Sequence, residues 1–111
     1  MGKFVITKRV NGEFQFNLKA KNGQIILTSE GYTTKANCLN GIESIRKNSV
    51  KESNFEKKIA KNDKFYFNLK ATNGQIIGTS QMYVNESGRD NGIKSVSENA
   101  SEAILDDQTL N

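Results

Sequence analysis

The sequence predicts an α+β fold in which two tandem β-β-β-α repeats share one antiparallel sheet, with the helices packed on one face. The segment FNLKAKNGQII that begins at Phe16 returns as FNLKATNGQII at Phe67, an offset of 51 residues. From Phe16 to Tyr32, 13 of 17 positions are identical in the second copy. Within each copy the apolar spacing changes from a period of two, typical of a half-buried strand, to a helical period.

The first hairpin of each copy needs a loop that keeps the apolar side chains on one face. A three-residue loop, 10–12, pairs Phe4 with Leu18 and meets this requirement, because a shift of one residue would turn the strand over. Gly12 is then expected to have a left-handed backbone in a G1-type bulge. Asp63 stands at the equivalent position of the second copy and is expected to tolerate the same conformation.

The second hairpin carries an Asn-Gly pair, which favours a two-residue type I′ turn. In the first copy this pair is 22–23, and the resulting register places Ile26 beside Lys19 on the polar face of the sheet. By the same count Ile77 lies beside Lys70 in the second copy. The prediction therefore leaves two isoleucines outside the core.

A helix follows the third strand of each copy. Thr34 and Asn85 are the predicted N-caps, since their side chains can accept a hydrogen bond from the first turn. Gly41 and Gly92 lie inside these helices, where glycine is unfavourable, and we interpret them as positions of close packing against a neighbour. Cys38 lies among apolar helix positions and is expected to be a small buried side chain.

Neither copy has enough apolar surface to be stable alone. Two repeats, at about residues 2–49 and 53–100, are therefore expected to share a six-stranded antiparallel sheet in one domain that spans residues 1–100. Residues 101–111 lack the periodicity of a packed element, and we expect them to form a flexible acidic tail.

The composition excludes several classes of protein. The chain has 111 residues, a net charge of +4 and 35% hydrophobic residues, and no apolar run reaches the roughly 18 residues that span a bilayer. With no histidine and one cysteine, His-based nucleophile activation, His-containing metal sites and iron–sulfur clusters are excluded. We expect a cytoplasmic protein with no catalytic residue, no cofactor, no metal and no membrane association.

The segment FYFNLKATNGQIIGTSQMY followed by NGIKSVSEN, with its earlier counterpart FQFNLKAKNGQIILTSEGY, resembles the YegP-like family of small bacterial proteins. The resemblance extends from about Gly2 to Ala100 and includes both copies. It implies two β3α units that build one antiparallel sheet, and a self-contained monomer for members with two repeats. It supplies no catalytic residue, because the family has no established biochemical activity.

The polar face of the predicted sheet is the main candidate for function. We expect a binding or interaction module that contacts a protein or a small ligand through this face, since two isoleucines are predicted to stand on it. The candidate contact residues are Asn17, Lys19, Ile26, Tyr66, Asn68, Lys70 and Ile77.

Two alternatives remain open. Residues 1–70 hold 14 Lys and Arg against 6 Asp and Glu, and an open sheet with lysines and a tyrosine resembles surfaces that bind single-stranded nucleic acid. A small-molecule enzyme is the second alternative. Lys19 and Lys70, near Asn17 and Asn68, are the closest approach to converging polar groups, but no carboxylate is predicted beside them.

Overall fold

The computed structural model describes residues 2–110 and contains one mixed sheet of seven strands with two α-helices. The first half of the chain forms β1 (Lys3–Lys8), β2 (Phe14–Lys19), β3 (Ile25–Thr28) and α1 (Lys35–Asn48). The second half forms β4 (Phe55–Ile59), β5 (Phe65–Lys70), β6 (Ile76–Thr79), α2 (Glu86–Asn99) and β7 (Ile104–Asp107). Short 3₁₀ helices precede β4 at Glu52–Asn54 and follow α2 at Ala100–Glu102.

The strand order in the sheet is β4-β5-β6-β3-β2-β1-β7. The two halves meet at the centre, where β3 and β6 pair through Thr28 and Thr79. The first six strands pair antiparallel with their neighbours, and β7 pairs parallel with β1. On either side of the central contact the order is therefore symmetric except for β7.

The C-terminal segment differs from the sequence prediction. We expected a flexible tail over residues 101–111 and a sheet of six antiparallel strands, but β7 is a seventh strand and makes the sheet mixed. Lys3 Nζ lies 3.6 Å from a carboxylate oxygen of Asp106, and Lys35 Nζ lies 2.9 Å from Asp107. The acidic residues that suggested a solvated tail instead form ion pairs with lysines of the first half. These contacts are long-range, so the local sequence carries no signal for them.

The first hairpin loop has the predicted geometry. Gly12 has φ +87°, and Arg9 and Glu13 close the three-residue loop with a 2.7 Å backbone hydrogen bond. Phe4 faces Leu18 as expected. Asp63, with φ +63°, is the one non-glycine residue of the described chain, 2–110, in the left-handed region, which also confirms its prediction.

The second hairpin loop differs from its prediction. Only Gly23 has a positive φ, at +84°, so the turn is not type I′. The loop comprises residues 21–23, closed by hydrogen bonds of 2.8 Å from Ala20 N to Gln24 O and from Gly23 N to Ala20 O. Gly74 has the same φ, +84°, in the second half. Asn-Gly therefore forms the end of a three-residue loop in both copies.

A β-bulge compensates for the extra loop residue. Lys19 faces Ile25 beside the loop, but Leu18 faces Leu27, so Ile26 is inserted between the two pairs. Without the bulge, Leu27 would move off the face that carries Leu18. The bulge therefore restores the apolar register that a two-residue loop would have produced.

The core lies between one face of the sheet and the two helices. Its larger buried side chains come from both halves: Phe4, Ile6, Phe16, Leu18, Ile26, Leu27, Ile42, Ile45, Phe67, Leu69, Ile93 and Val96. At the centre of the sheet a methyl group on Gly78 would lie 2.7 Å from Leu27 Cδ2, so Leu27 fills the space on both sides of the contact.

The helices begin and pack as predicted. Thr34 Oγ1 accepts a hydrogen bond of 3.1 Å from Asn37 N, and Asn85 caps α2 in the same way. Gly41 and Gly92 are buried, each against a tyrosine ring, which confirms close packing at both positions. Neither helix of residues 2–110 combines the length and apolar character needed to cross a membrane.

Candidate functional site

One residue from every strand contributes to a continuous row across the sheet face that points away from the helices. The row follows from the cross-strand pairs, which connect β4 at one edge to β7 at the other. In spatial order its members are Glu56, Asn68, Thr79, Thr28, Asn17, Val5 and Asp106.

In the second half of the sheet this row is joined by hydrogen bonds. Lys70 Nζ donates to Glu56 Oε2 at 2.9 Å, and Asn68 Nδ2 donates to Glu56 Oε1 at 3.3 Å. Thr79 Oγ1 donates to Asn68 Oδ1 at 2.9 Å. The hydrogen bonds from Lys70 and then Asn68 lower the pKa of the Glu56 carboxyl, so the carboxylate is held in its charged form.

Glu56 also corrects the sequence interpretation, which expected no carboxylate beside the two lysines. Its place on the polar face depends on the register of β4 against β5, where it pairs with Asn68. The alternation of Phe55 and Lys57 on the other face was the available signal, because it puts the residue between them on the polar face. Lys70 therefore already has an ion-pair partner within the fold, Glu56.

The first half of the sheet has the same polar pair without the carboxylate. Asn17 and Lys19 are the equivalents of Asn68 and Lys70 at the offset of 51, but Val5 stands where the second half has Glu56. Among residues 2–110 the side chains of Asn17 and Lys19 make no hydrogen bond or ion pair with another residue of the chain. Both are partly exposed.

The two predicted isoleucine contacts do not lie on this surface. Ile26 is only 5% exposed and belongs to the core, so its prediction as a polar-face residue is wrong. Ile77 is partly buried and packs against the same core. The physical reason is the bulge, which turns the side chain of Ile26 toward the helices.

Tyr66 remains on the polar face, directly across from Lys58 in β4. Its equivalent in the first half is Gln15, whose Oε1 accepts a 3.0 Å hydrogen bond from Arg9 Nε. The two halves of the face therefore differ: one has an aromatic ring and a lysine paired with Glu56, and the other has Asn17 and Lys19 without a carboxylate to accept their hydrogen bonds.

Cys38 is fully buried, as predicted, and burial raises the pKa of its thiol to about 11. A thiol in this state is a poor nucleophile. Within the described range 2–110, no group of three or more His, Cys, Asp or Glu side chains is arranged to hold a metal ion.

Comparisons with known proteins find similar sequences along nearly the whole chain. The sequence model of a family described as Domain of unknown function (DUF1508) matches residues 10–56 and 60–107. A UPF0339 protein of Shewanella oneidensis is 56% identical over 108 residues, which cover 97% of this chain and 98% of the relative.

Two solution NMR structures superpose on most of the chain. One, of a UPF0339 protein from Shewanella oneidensis, has a TM-score of 0.90 at 56% identity and covers 96% of this chain and 90% of its own. The other, of the protein of unknown function YegP from Escherichia coli, has a TM-score of 0.92 at 50% identity, with coverages of 96% and 92%. These descriptions assign no activity to the relatives.

Proposed function

The chain belongs to the DUF1508 family, which has no assigned activity, and from this premise we propose that it is a small binding module that holds an acidic side chain of a protein partner at Asn17 and Lys19. Family membership confirms the resemblance to YegP-like proteins found in the sequence. The function itself rests on the geometry of the polar sheet face.

One observation carries the proposal. In the second half of the sheet, an amide and an ammonium converge on the carboxylate of Glu56, with contacts of 3.3 Å from Asn68 and 2.9 Å from Lys70. The first half repeats the two donors and puts Val5 in place of the acid. Val5 is only 3% exposed, so a carboxylate from outside the chain would approach above it and accept hydrogen bonds from the partly exposed side chains of Asn17 and Lys19.

The charge around this position supports an acidic ligand. Lys3 lies directly across from Lys19 in the sheet, and its ammonium is 3.6 Å from Asp106. Within residues 2–110, the site thus has one cation that is paired, Lys3, and one that is not, Lys19. Because such a contact is partly exposed, we expect modest affinity that weakens as salt is added.

The test is ¹⁵N–¹H NMR titration of the intact protein with the peptide Ac-Gly-Glu-Gly-NH₂. We expect shifts at Asn17 and Lys19 that are absent with the Ac-Gly-Gln-Gly-NH₂ peptide, which has the same shape and no charge. Val5→Glu should abolish the response, because the new carboxylate occupies the donors from within the chain. Lys70→Ala is the matched control in the other half and should leave the response unchanged.

The proposal fails if the glutamine peptide gives the same shifts or if Val5→Glu binds as well as the parent protein. Loss of folding in Val5→Glu is recognised from its spectrum, and Lys19→Ala then gives the same test. Lys19→Ala should remove most of the response without disturbing the fold, because the Lys19 side chain has no hydrogen-bond or ion-pair partner among residues 2–110.

Single-stranded nucleic acid is the second candidate ligand. The observation that favours it is the cross-strand pair of Tyr66 and Lys58 on the polar face, since an aromatic ring and a cation can stack a base and hold a phosphate. Fluorescence anisotropy with a labelled oligonucleotide tests this at two salt concentrations. Tight binding that falls steeply with salt and is lost in Tyr66→Ala would favour nucleic acid over an acidic protein partner.

The proposal extends to the repeat organisation, the oligomeric state and the cellular compartment. We infer that the two β-β-β-α repeats, at about residues 2–49 and 53–100, act as one monomeric binding unit, and the support is the core drawn from both halves. A single buried cysteine is consistent with the cytoplasm as its compartment.

A further inference from the structure

Arg46 in α1 fills a position that is open in the other half of the protein. Its guanidinium lies over the ring of Phe4, 5.0 Å from the ring centroid. Its Nη1 donates hydrogen bonds to the carbonyl oxygens of Ala100 at 3.2 Å and Ser101 at 3.1 Å, and its Nε donates to Glu43 at 3.2 Å. The first half therefore contains a built guanidinium site, and Arg46 occupies it.

The second half repeats this site without the arginine. At the offset of 51, Ser97 stands in place of Arg46 and Phe55 in place of Phe4. The carbonyl groups of Ser49 and Val50 take the positions of those that receive the arginine in the first half. A cleft of about 280 Å³ opens among these residues, between α2, the start of β4 and the connector that precedes it.

We propose that this cleft binds the guanidinium of an arginine side chain from a partner protein. Phe55 is partly exposed and lines the cleft, and a guanidinium stacks favourably on an aromatic ring. The carboxylates of Glu52 and Asp90 line the same cleft. They supply negative charge where the first half uses Glu43.

One difference between the two repeats disfavours this ligand and provides a variant for the test. Lys94 stands in place of Glu43 and also lines the cleft, so its ammonium weakens the attraction for a cation. Asp90 is already shared, at 3.3 Å from Lys57 and 3.2 Å from Arg89. Glu52 is exposed and is not in an ion pair with any residue in 2–110. Glu52 is therefore the carboxylate on which the attraction for a cation mainly depends, and Lys94 is the ammonium that opposes it.

This site is separate from the proposed acidic-ligand site. The cleft lies on the helix side of the sheet at the β4 edge, whereas Asn17 and Lys19 lie on the opposite face in β2. The failure of one proposal therefore leaves the other untouched, and the two sites are distinguished by which amide signals move.

The experiment is ¹⁵N–¹H NMR titration of the intact protein with Ac-Gly-Arg-Gly-NH₂. We expect shifts within residues 49–55 and 90–97 that saturate at millimolar peptide. The same peptide with citrulline, which keeps the shape and removes the charge, should give no comparable response. Equal responses to the two peptides would overturn the proposal.

Two variants test the cleft in opposite directions. Ser97→Arg should fill it from within the chain, as Arg46 does in the first half, and should abolish the response. Lys94→Glu should restore the role of Glu43 and tighten binding about threefold, the size expected for one partly exposed ion pair. Lys47→Glu reverses the same charge at an exposed position of α1 and should change nothing.

The parent response in Ser97→Arg, or weaker binding in Lys94→Glu, would contradict the assignment. Sedimentation of the free protein tests whether the cleft instead binds an arginine from a second copy of this chain. Self-association that Ser97→Arg removes would place an arginine of a second copy in the cleft and overturn the assignment to a different partner.

Discussion

The ring of Tyr32 lies directly over Gly41, so close that a methyl group on the glycine would stand 2.8 Å from Tyr32 Cζ. Tyr83 and Gly92 repeat this relationship in the second half, with the same 2.8 Å separation. Each tyrosine comes from the segment that enters its helix, so the ring anchors the helix to the sheet. The glycines are required by this contact, although glycine is unfavourable inside a helix.

We expect Gly41→Ala to destabilise the protein by up to about 2 kcal/mol. The new methyl group would crowd the hydroxyl and Cζ of Tyr32, and such overpacking typically costs about 1–3 kcal/mol, of which the gain in helix propensity offsets about 1 kcal/mol. Urea unfolding followed by circular dichroism measures the change. Asn40→Ala, at the exposed neighbouring position, is the control and should be neutral or stabilising. A stabilised Gly41→Ala variant would show that the tyrosine moves aside freely.

Leu27 and Gly78 are expected to be energetically coupled. Gly78→Ala should destabilise the fold because the new methyl group would lie 2.8 Å from Leu27 Cγ. Leu27→Ala alone should cost about 2–5 kcal/mol, as for other buried leucines. In the double variant the alanine at residue 78 has space, so the combined loss should be smaller than the sum of the two single losses. Additive losses in urea unfolding would mean that the two side-chain positions are independent.

The attachment of β7 should depend on pH. Hydrogen bonds from Thr109 and Lys35 lower the pKa of Asp107 from 3.8 to about 2. A carboxyl with a lowered pKa stabilises the folded protein above its ordinary pKa, and this contribution is lost as the pH falls from about 4 to about 2. Melting temperatures at about pH 6, 4 and 2.5 should therefore fall more steeply in the parent protein than in Asp107→Asn. Parallel curves for the two proteins would show that the contact does not contribute.

The thiol of Cys38 should report on opening of the core. It is fully buried and its pKa is raised to about 11, so a disulfide reagent such as DTNB should react slowly with the native protein at about pH 8. Urea should make the reaction fast, over the same range in which the circular dichroism signal is lost. Fast labelling of a protein with an unchanged spectrum would place the thiol at the surface.

Several features of the fold could be read from local sequence. The apolar pairs of β1 and β2 predicted the first loop, because only a three-residue turn brings Phe4 opposite Leu18. The N-caps at Thr34 and Asn85 and the buried Cys38 were predicted from side-chain type and position. These features depend on residues that lie close together in the chain.

Other features depend on compensation or on distant partners. An Asn-Gly pair can end a three-residue loop as well as form a type I′ turn. The extra loop residue cannot be detected from the apolar pattern, because the bulge at Ile26 restores the pairing of Leu18 with Leu27. The polar face was therefore predicted to carry two isoleucines, Ile26 and Ile77, that instead pack against the core. The strand Ile104–Asp107 was missed because its partners lie about a hundred residues away, at the start of the chain.

The candidate site was found only in part. Asn17, Lys19, Asn68 and Lys70 lie on the polar face as predicted, but the difference between them appears only when Glu56 and Val5 are compared in the folded sheet. An alignment of the two repeats is enough to show that Val5 replaces Glu56. The register of β4 in the folded sheet is needed to show that Glu56 reaches Lys70.

The contact of Leu27 with Gly78 has a consequence for how such a protein can be assembled. In a symmetric pair of separate subunits, one gene product supplies both sides of the axis, so this contact would be leucine on leucine, which collides, or glycine on glycine, which leaves a void. Covalent linkage of the copies allows one side to be large and the other small. The two halves are therefore not interchangeable at the middle of the sheet. Two copies of either half alone could not reproduce the contact of Leu27 with Gly78.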